Sequence, residues 1–170
     1  LRTGQVGVLL VAGGQGTRLG FEHPKVLFSI GPVSGASLFQ ILLEQIVAVG
    51  RRYGVRIPLF LMTSSATHAE TVEFLDHTSR FGLPAGDLFV FSQGSMPAVD
   101  EKSGKILLAE KGHVALGPDG HGGMLTALRS SGGFTELDGR GIRHLFYLQV
   151  DNPLVRMCDA EFLGHHIQSG

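Results

Sequence analysis

A glycine-rich segment with two basic residues lies between Val11 and Lys25 and has the composition of a phosphate-binding loop. It follows an apolar run, Val6 to Val11, that is typical of a buried strand. Glycines allow backbone N–H groups to turn toward a ligand without a side chain in the way. Arg18 and Lys25 follow the glycines and can meet a polyphosphate there, so we predict a nucleotide site rather than a plain strand-to-helix turn. The loop residues assigned to it are Gly13, Gly14, Gly16 and Thr17.

Two familiar kinds of phosphate loop do not fit the spacing. A Walker A loop ends in Gly-Lys-Ser/Thr, whereas Gly20 is followed by Phe21. The dinucleotide fingerprint has glycine at its first, third and sixth positions, but the sixth position counted from Gly14 is Leu19. No acidic residue stands about 20 positions further on to hold a ribose. The spacing therefore disfavours a nicotinamide oxidoreductase and leaves a mononucleotide loop with a lysine arm.

The elements that must position this loop are indicated by hydrophobic patterning. Almost continuously apolar runs predict buried strands, as in a sheet that is covered on both faces. The predicted strands are Val6–Val11, Ile57–Met62, Leu88–Phe91 and Leu145–Val150. The predicted helices are Leu38–Val49, His68–Thr78, Leu125–Ser130 and Ala160–Gln168.

Capping patterns support the first two helices. Ser37 and Gln40 have capping-box spacing, and Gly50 can end the helix that they begin. Thr67 and Glu70 have the same spacing before the second helix.

Helices and buried strands alternate along the chain, which predicts a three-layer α/β fold with a mainly parallel sheet. A hairpin from Pro97–Asp100 to Lys105–Leu108 is predicted as an appendage of that sheet. Asp159 and Glu161 are interpreted as the acidic start of the last helix and need no site.

Each predicted strand ends in small or polar residues, and ligands of open parallel sheets bind beyond the carboxyl ends of the strands. We therefore expect these ends to meet at one crevice. Thr63 to Ser65 are sufficiently explained as the cap of the following helix and are left out of the predicted site. The ends are Gly13-Gly14, Thr63-Ser64-Ser65, Ser92-Gln93-Gly94 and Asp151-Asn152.

Two side chains at these ends suit particular ligands. The Gln93 amide offers a donor and an acceptor, which complement the uracil edge and mismatch cytosine; the alternative is a glutamine in an ordinary turn. Asp151 ends a buried strand, where a carboxylate is costly unless it is paired, caps a turn or binds a cation. Mg²⁺ prefers such oxygen ligands, so Asp151 is the predicted metal ligand, with Asn152 beside it for substrate. The alternative for Asp151 is an Asx turn.

The eight histidines show no metal-binding pattern. His165 and His166 are adjacent and would point about 100° apart on a helix. His121 differs from the others because it lies in the glycine loop Gly120–Gly123, from which it would project toward sugar or phosphate. The remaining histidines considered are expected at the surface or at strand edges: His68, His77, His113 and His144.

Composition limits the class of protein. A chain of 170 residues fits one domain, and its net charge of −1 provides no field for nucleic acid or an anionic membrane. No apolar run approaches the ~20 residues of a membrane span. The single Cys158 agrees with a reducing compartment, so a cytoplasmic location without nucleic-acid or membrane partners is expected, and the oligomeric state stays open.

Together these motifs resemble the signature of the eukaryotic-type UDP-sugar pyrophosphorylases, most closely the UDP-N-acetylglucosamine pyrophosphorylases. The resemblance runs from about Val6 to the last helix, and four further motifs follow the glycine loop in the family's order. They are Met62-Thr63-Ser64, Phe91-Ser92-Gln93-Gly94, Pro118-Asp119-Gly120-His121-Gly122-Gly123 and Val150-Asp151-Asn152-Pro153-Leu154-Val155.

The resemblance implies a nucleotide-diphospho-sugar transferase-like fold and attack of a sugar-1-phosphate on UTP. Arg18 and Lys25 would be the catalytic cations, Mg²⁺ the cofactor, and His121 and Asn152 the sugar-phosphate contacts. Family members are longer and have a second catalytic lysine, so residues 1–170 are expected to be a UTP-binding part of a larger catalytic domain. Backbone groups of Val11, Ala12, Gly13, Gly14 and Gly120 would hold the rest of the base.

Sugar choice is the least determined part of this prediction. The family's N-acetylglucosamine enzymes typically have asparagine where this chain has His121, and its UDP-glucose enzymes have histidine. N-acetylglucosamine-1-phosphate is the first expectation, and a UDP-glucose or broad-specificity enzyme is the alternative. An alternative of another class is a regulatory module that binds uridine nucleotides without turnover.

Overall fold

Eight strands and five α-helices, joined by short 3-10 turns, form the computed structural model, which describes residues 1–170. In chain order they are β1 (Val6–Val11), α1 (Leu38–Tyr53), β2 (Leu59–Thr63), α2 (His68–His77), β3 (Leu88–Ser92), β4 (Ser95–Pro97), β5 (Leu108–Glu110), β6 (His113–Val114), β7 (Leu116–Pro118), α3 (Met124–Ser130), α4 (Gly133–Gly139), β8 (His144–Gln149) and α5 (Ala160–Gln168).

The central sheet has four strands in the order β3-β2-β1-β8, and every neighbouring pair is parallel. Leu10 of β1 lies opposite Leu61 of β2 on one side and Leu148 of β8 on the other. The predicted parallel sheet is therefore confirmed, and all four carboxyl ends meet at one edge.

Helices cover both faces of this sheet, which confirms the three-layer prediction. The larger apolar cluster joins one face to α1, α2 and α5, with Phe39 and Leu42 of α1 fully buried. The smaller cluster joins the other face to α3 and α4 through Leu128 and Leu137. Because alternate residues of a strand point to opposite faces, Leu9 and Leu10 of β1 enter different clusters.

Coverage of the sheet is complete only at its centre. Every residue of β1 and β2 is buried, as the apolar runs predict. In β3 only Phe91 is fully buried, and in β8 Tyr147 and Gln149 are exposed. The prediction of full coverage was therefore wrong for the two edge strands, because each has a neighbour on one side only.

Helix ends follow local chemistry where that chemistry is simple. Helix α5 spans Ala160–Gln168 as predicted, because the Asp159 carboxylate accepts hydrogen bonds from the backbone N–H groups of Glu161 and Phe162. The bond from Phe162 lowers the pKa of Asp159. Ser37 caps α1 by accepting from the Gln40 N–H.

The end of α1 and the start of α2 differ from their predictions. Helix α1 continues past Gly50 to Tyr53 and is capped by Gly54, whose φ of 66° is the left-handed conformation that glycine adopts readily. Gly50 serves packing instead, since a Cβ there would lie 2.8 Å from the Val55 carbonyl oxygen. Thr67 does not cap α2, because its hydroxyl accepts from the Ser64 N–H.

The strand boundaries shift by one or two residues. Strand β2 begins at Leu59, since the preceding Pro58 has no N–H to donate to a ladder. The last strand begins at His144 and ends at Gln149.

The predicted hairpin forms, with a bridge between Val99 and Ile106 and backbone hydrogen bonds from Asp100 to Lys105 and from Leu107 to Ala98, but it does not join the central sheet. The surrounding segment forms two small antiparallel ribbons, β4 with β7 and β5 with β6. Helix α4 was not predicted, because glycines at both of its ends obscure the short apolar pattern. None of the helices has the length and apolar character that a membrane crossing requires.

Candidate functional site

Two adjoining hollows of about 230 and 660 Å³ lie at the carboxyl edge of the sheet. They form one crevice, as the strand ends predict. The residues that line both hollows are Gly13, Gly14, Lys25, Gln93, Pro118 and His121.

The loop after β1 folds back so that its lysine faces the crevice. The Lys25 N–H donates to the Gly14 carbonyl oxygen at 3.0 Å, which brings residues eleven positions apart together. Thr17 and Arg18 line the larger hollow, and Val11 lines the smaller one. The predicted basic residues therefore share a cavity with the glycines.

Two predicted loop residues have structural explanations instead. The Ala12 N–H donates to the Met62 carbonyl oxygen, and Ala12 lines neither hollow. Gly16 is buried, and a Cβ there would lie 2.8 Å from the Phe21 carbonyl oxygen. The loop therefore requires glycine at position 16 for its own tight path.

Gln93 connects three segments around the crevice. Its backbone N–H donates to the Thr63 carbonyl oxygen, and its side-chain Nε2 donates to the Gly120 carbonyl oxygen at 2.9 Å. Its Oε1 would lie 3.1 Å from a Cβ built on Gly13, so a side chain at Gly13 would crowd the amide. The amide keeps its acceptor and one N–H hydrogen for a ligand, which is consistent with the predicted base contact.

The loop that carries Gly120 is held by a residue that was not predicted. The Asp119 N–H donates to the Gly94 carbonyl oxygen at 3.2 Å, and the Asp119 carboxylate packs tightly against Gly94 and Gly123. Its Oδ1 is buried without a hydrogen-bond partner. Side chains at either glycine would collide with this carboxylate, so the glycines permit the close contact that brings Gly120 to Gln93.

Lys25 and Asp151 form an ion pair across the crevice. Lys25 Nζ donates to Asp151 Oδ1 at 2.9 Å, and the two side chains are 22% and 59% exposed. Arg18 makes no ion pair and is exposed. The Asx-turn alternative for Asp151 is wrong, because that turn needs an N–H two residues on, where Pro153 has none.

Asp151 is the one carboxylate among the residues that line the two hollows. No group of three or more histidine, cysteine, aspartate or glutamate side chains is placed to hold an ion. Mg²⁺ is usually bound through one or two carboxylates together with substrate phosphates, so Asp151 fits as one such ligand. Asn152 is exposed and lines neither hollow, so its predicted substrate contact has no support from its position.

Several residues in or beside the crevice were not predicted. Ser64 and Ser65, which the helix-cap interpretation had set aside, line the larger hollow. Gln149 lines the smaller one, and Tyr147 contacts His121 through its hydroxyl, 3.2 Å from Nδ1. The alternation of β8 was the available signal, because residues 147 and 149 share a face.

The other histidines contact neighbours outside the crevice. His68 is half-buried, and its Nδ1 lies 2.8 Å from the hydroxyl of Thr63 at the end of β2, which agrees with the predicted surface or strand-edge position. His144 and His166 lie side by side, with ring nitrogens 3.4 Å apart.

The fold is that of an α/β protein with a parallel sheet, and its glycine loop, arginine and lysine lie at the carboxyl edge, where such sheets bind ligands. The chain belongs to the UTP–glucose-1-phosphate uridylyltransferase family, whose model matches residues 2–170.

Individual relatives agree with this membership. The chain is 39% identical over 178 residues to a probable UDP-N-acetylglucosamine pyrophosphorylase of Dictyostelium discoideum, covering 98% of this chain and 37% of the relative. A crystal structure of a putative UDP-N-acetylglucosamine pyrophosphorylase from Entamoeba histolytica superposes with a TM-score of 0.88 at 33% identity, covering 98% of this chain and 43% of that one. A UDP-glucose phosphorylase from Trypanosoma brucei has a TM-score of 0.79 at 25% identity, covering 98% and 35%. The chain thus spans little more than a third of the length of its curated relatives.

Proposed function

We propose that this chain is the UTP-binding part of a uridylyltransferase that joins UTP and a sugar-1-phosphate and releases pyrophosphate. The observation that carries the proposal is that Gln93 and Lys25, the candidate contacts for base and phosphate, line the same two hollows. A uracil edge and a triphosphate are parts of one molecule, and the crevice offers a group for each.

The chemistry needs no activated side-chain nucleophile. An oxygen of the sugar phosphate attacks the α-phosphorus of UTP, the bond from that phosphorus to the bridging oxygen breaks, and pyrophosphate leaves. The barrier arises from bringing two polyanions together and from charge on the transferring and leaving phosphates, so positioning and electrostatic stabilisation dominate. Arg18 and Lys25 are the groups of this chain that would neutralise that charge.

Asp151 is proposed as the protein ligand of Mg²⁺. Bound there with nucleotide phosphates, the ion would supply positive charge to the reacting phosphates. Without ligand, Lys25 pairs with the same Asp151 carboxylate that Mg²⁺ would occupy in the bound state. Lys25 would be released toward phosphate when the nucleotide binds.

N-acetylglucosamine-1-phosphate is the proposed sugar substrate. Support comes from relatives such as the Dictyostelium protein, which are named for UDP-N-acetylglucosamine. The second candidate is a UDP-glucose or broad-specificity enzyme, which is favoured by the histidine at position 121. The single cysteine supports a cytoplasmic location for either enzyme.

Calorimetric titration of the 170-residue chain with UTP and CTP tests the nucleotide site. Tighter binding of UTP is expected, whereas equal binding or none would contradict the proposal. Pyrophosphate release is then measured for this chain and for any longer protein that carries it, with N-acetylglucosamine-1-phosphate and glucose-1-phosphate in parallel. Uridine-nucleotide binding without release in the longer protein would identify the regulatory module instead.

A further inference from the structure

The His121 ring lies at the end of a short chain of hydrogen-bonded side chains that begins on β8. Gln149 Nε2 donates to the Tyr147 hydroxyl oxygen at 3.1 Å, and that hydroxyl lies 3.2 Å from His121 Nδ1. Residues two apart on a strand share a face, so Tyr147 and Gln149 both stand on the side of the sheet that α3 covers. His121 begins the turn that leads into α3, which places its ring over this face.

The tautomer of the ring follows from the direction of the hydrogen bond between Tyr147 and His121. A tyrosine hydroxyl has one hydrogen, and its oxygen already accepts from the Gln149 amide. The hydrogen is therefore free for His121 Nδ1, the one acceptor of the protein within reach of it, and Nδ1 accepts it with a lone pair in the Nε2–H tautomer. In the neutral ring the proton then lies on Nε2, which has no partner within the protein and belongs to a ring that lines both hollows.

From this geometry we infer that Gln149 and Tyr147 are positioning residues that fix His121 as an Nε2–H donor for an oxygen of the sugar-1-phosphate. The inference rests on the proposed function for the identity of the ligand, whereas the tautomer is a property of the protein alone. The asparagine side chain always has N–H donors. A neutral histidine has one N–H, and the hydrogen bond made by one ring nitrogen sets whether the other carries the proton. The two residues of β8 supply that hydrogen bond.

Nitrogen-15 NMR of the chain without ligand tests the tautomer directly. The His121 signals are assigned by their loss in His121→Gln, and the neutral ring is expected to carry its proton on Nε2. In Gln149→Glu the carboxylate only accepts, so the hydroxyl hydrogen turns to it and the hydroxyl oxygen accepts from Nδ1–H. The proton should then move to Nδ1. A wild-type ring with its proton on Nδ1, or an unchanged tautomer in a folded Gln149→Glu variant, would overturn the inference.

A double variant separates the relay from a direct effect of the new charge. In Tyr147→Phe the connection is missing, so adding Gln149→Glu to it should not move the proton further. A shift of the same size in both backgrounds would show that Tyr147 transmits nothing. Tyr53→Phe and Gln168→Glu are matched controls, because they remove the other tyrosine hydroxyl and add the same charge on remote helices.

Binding measurements connect the tautomer to the substrate. Tyr147→Phe, which adds no charge to the crevice, is expected to weaken binding of the sugar-1-phosphate about tenfold while changing UTP binding less than twofold. Equal loss of both ligands would indicate general damage to the crevice and count against a positioning role. Failure of the wild-type chain to bind UTP would instead remove the proposed function and leave the tautomer result standing.

Discussion

Two aspartates at opposite edges of the central sheet are held by basic side chains in different ways. Asp87 lies just before β3, at the amino edge, and is 3% exposed. Its Oδ2 accepts from Arg56 at 2.7 Å and its Oδ1 from Arg140 at 3.2 Å. Asp151 lies just after β8, at the carboxyl edge, where Lys25 engages one oxygen and leaves the other unpaired.

The two aspartates differ in how readily water or a ligand can replace their basic partners. A buried carboxylate that has lost its water needs both of its arginines, and the hydrogen bond that Arg56 donates to Asp87 raises the pKa of Arg56. The Asp151 carboxylate is more than half exposed, so water or a cation can replace Lys25 at little cost. The contacts of Asp87 with Arg56 and Arg140 at the amino edge are therefore a permanent connection. The Lys25–Asp151 ion pair at the carboxyl edge is an exchangeable pair, which ligands can replace.

A hollow of about 380 Å³ beside Asp87 strengthens the contrast. It lies between α1 and the segment before β3, and it has neither a glycine loop nor an unpaired carboxylate. Size alone does not distinguish it from the crevice. What distinguishes the crevice is its Lys25–Asp151 ion pair, which a ligand can replace.

The largest effect is expected from replacing Lys25, the basic member of the exchangeable pair. Lys25→Met should lower the rate of pyrophosphate release about 10²- to 10³-fold, because a cation aimed at developing phosphate charge is lost. The free energy of unfolding should change by less than about 1 kcal/mol, since the partner of Lys25 is exposed. Steady-state kinetics and thermal unfolding of the same variant measure the two effects.

Arg18→Lys is the companion variant at a cation without an ion pair. It keeps the charge and removes the planar donor pair, so a clear loss of rate would indicate bidentate contact with phosphate. Near-normal rates in both variants would mean that the loop is structural.

Breaking the permanent connection should instead affect folding. Asp87→Asn removes the charge that faces two arginines and is expected to cost about 2–4 kcal/mol in the free energy of unfolding, less than a fully buried pair because Arg56 is two-thirds exposed. UTP binding by the folded fraction should be unchanged. Urea unfolding monitored by circular dichroism gives the stability, and Asp76→Asn, at an exposed helical pair with Arg80, is the control. A stable Asp87→Asn protein with weakened UTP binding would reverse the assignment of the two edges.

Replacement of Gln93 tests whether the carboxyl edge recognises the base. Gln93→Leu should weaken UTP binding by about 1–3 kcal/mol, because the hydrogen bonds to uracil are lost and the Gly120 carbonyl oxygen loses its donor. CTP binding measured by calorimetry should change much less, and an equal change for both nucleotides would remove Gln93 from base recognition.

The sequence predicted the parallel sheet well because the evidence for it is local. Apolar runs identified β1 and β2, and a single cap at Asp159 set the start of α5. The end of α1 was missed because two glycines compete for it. Only the folded chain shows that Gly50 packs against Val55 while Gly54 adopts a positive φ.

The candidate site was predicted by residue type and missed where it depends on pairing. Lys25 and Asp151 were selected separately, and nothing in their spacing of 126 residues indicated that they bind each other. Tyr147 and Gln149 were overlooked because an apolar run was interpreted as covered on both faces. That interpretation fails at an edge strand, where one face opens toward the crevice.

The smallest expected effect distinguishes a metal ligand from a mere partner of Lys25. Asp151→Asn keeps the size of the side chain and one acceptor oxygen but loses the charge that offsets Mg²⁺. The Mg²⁺ concentration for half-maximal rate should rise severalfold, and the rate at saturating Mg²⁺ should fall less than in Lys25→Met. Initial rates over a Mg²⁺ titration measure this, and Asp159→Asn, which alters a carboxylate that caps α5, is the control. Because Asp151 is exposed, thermal stability without nucleotide should stay close to that of the unaltered chain. An unchanged Mg²⁺ midpoint in a folded variant would leave the ion held by nucleotide phosphates and water. In that case the Asp151 carboxylate would serve only to hold Lys25 until the nucleotide arrives.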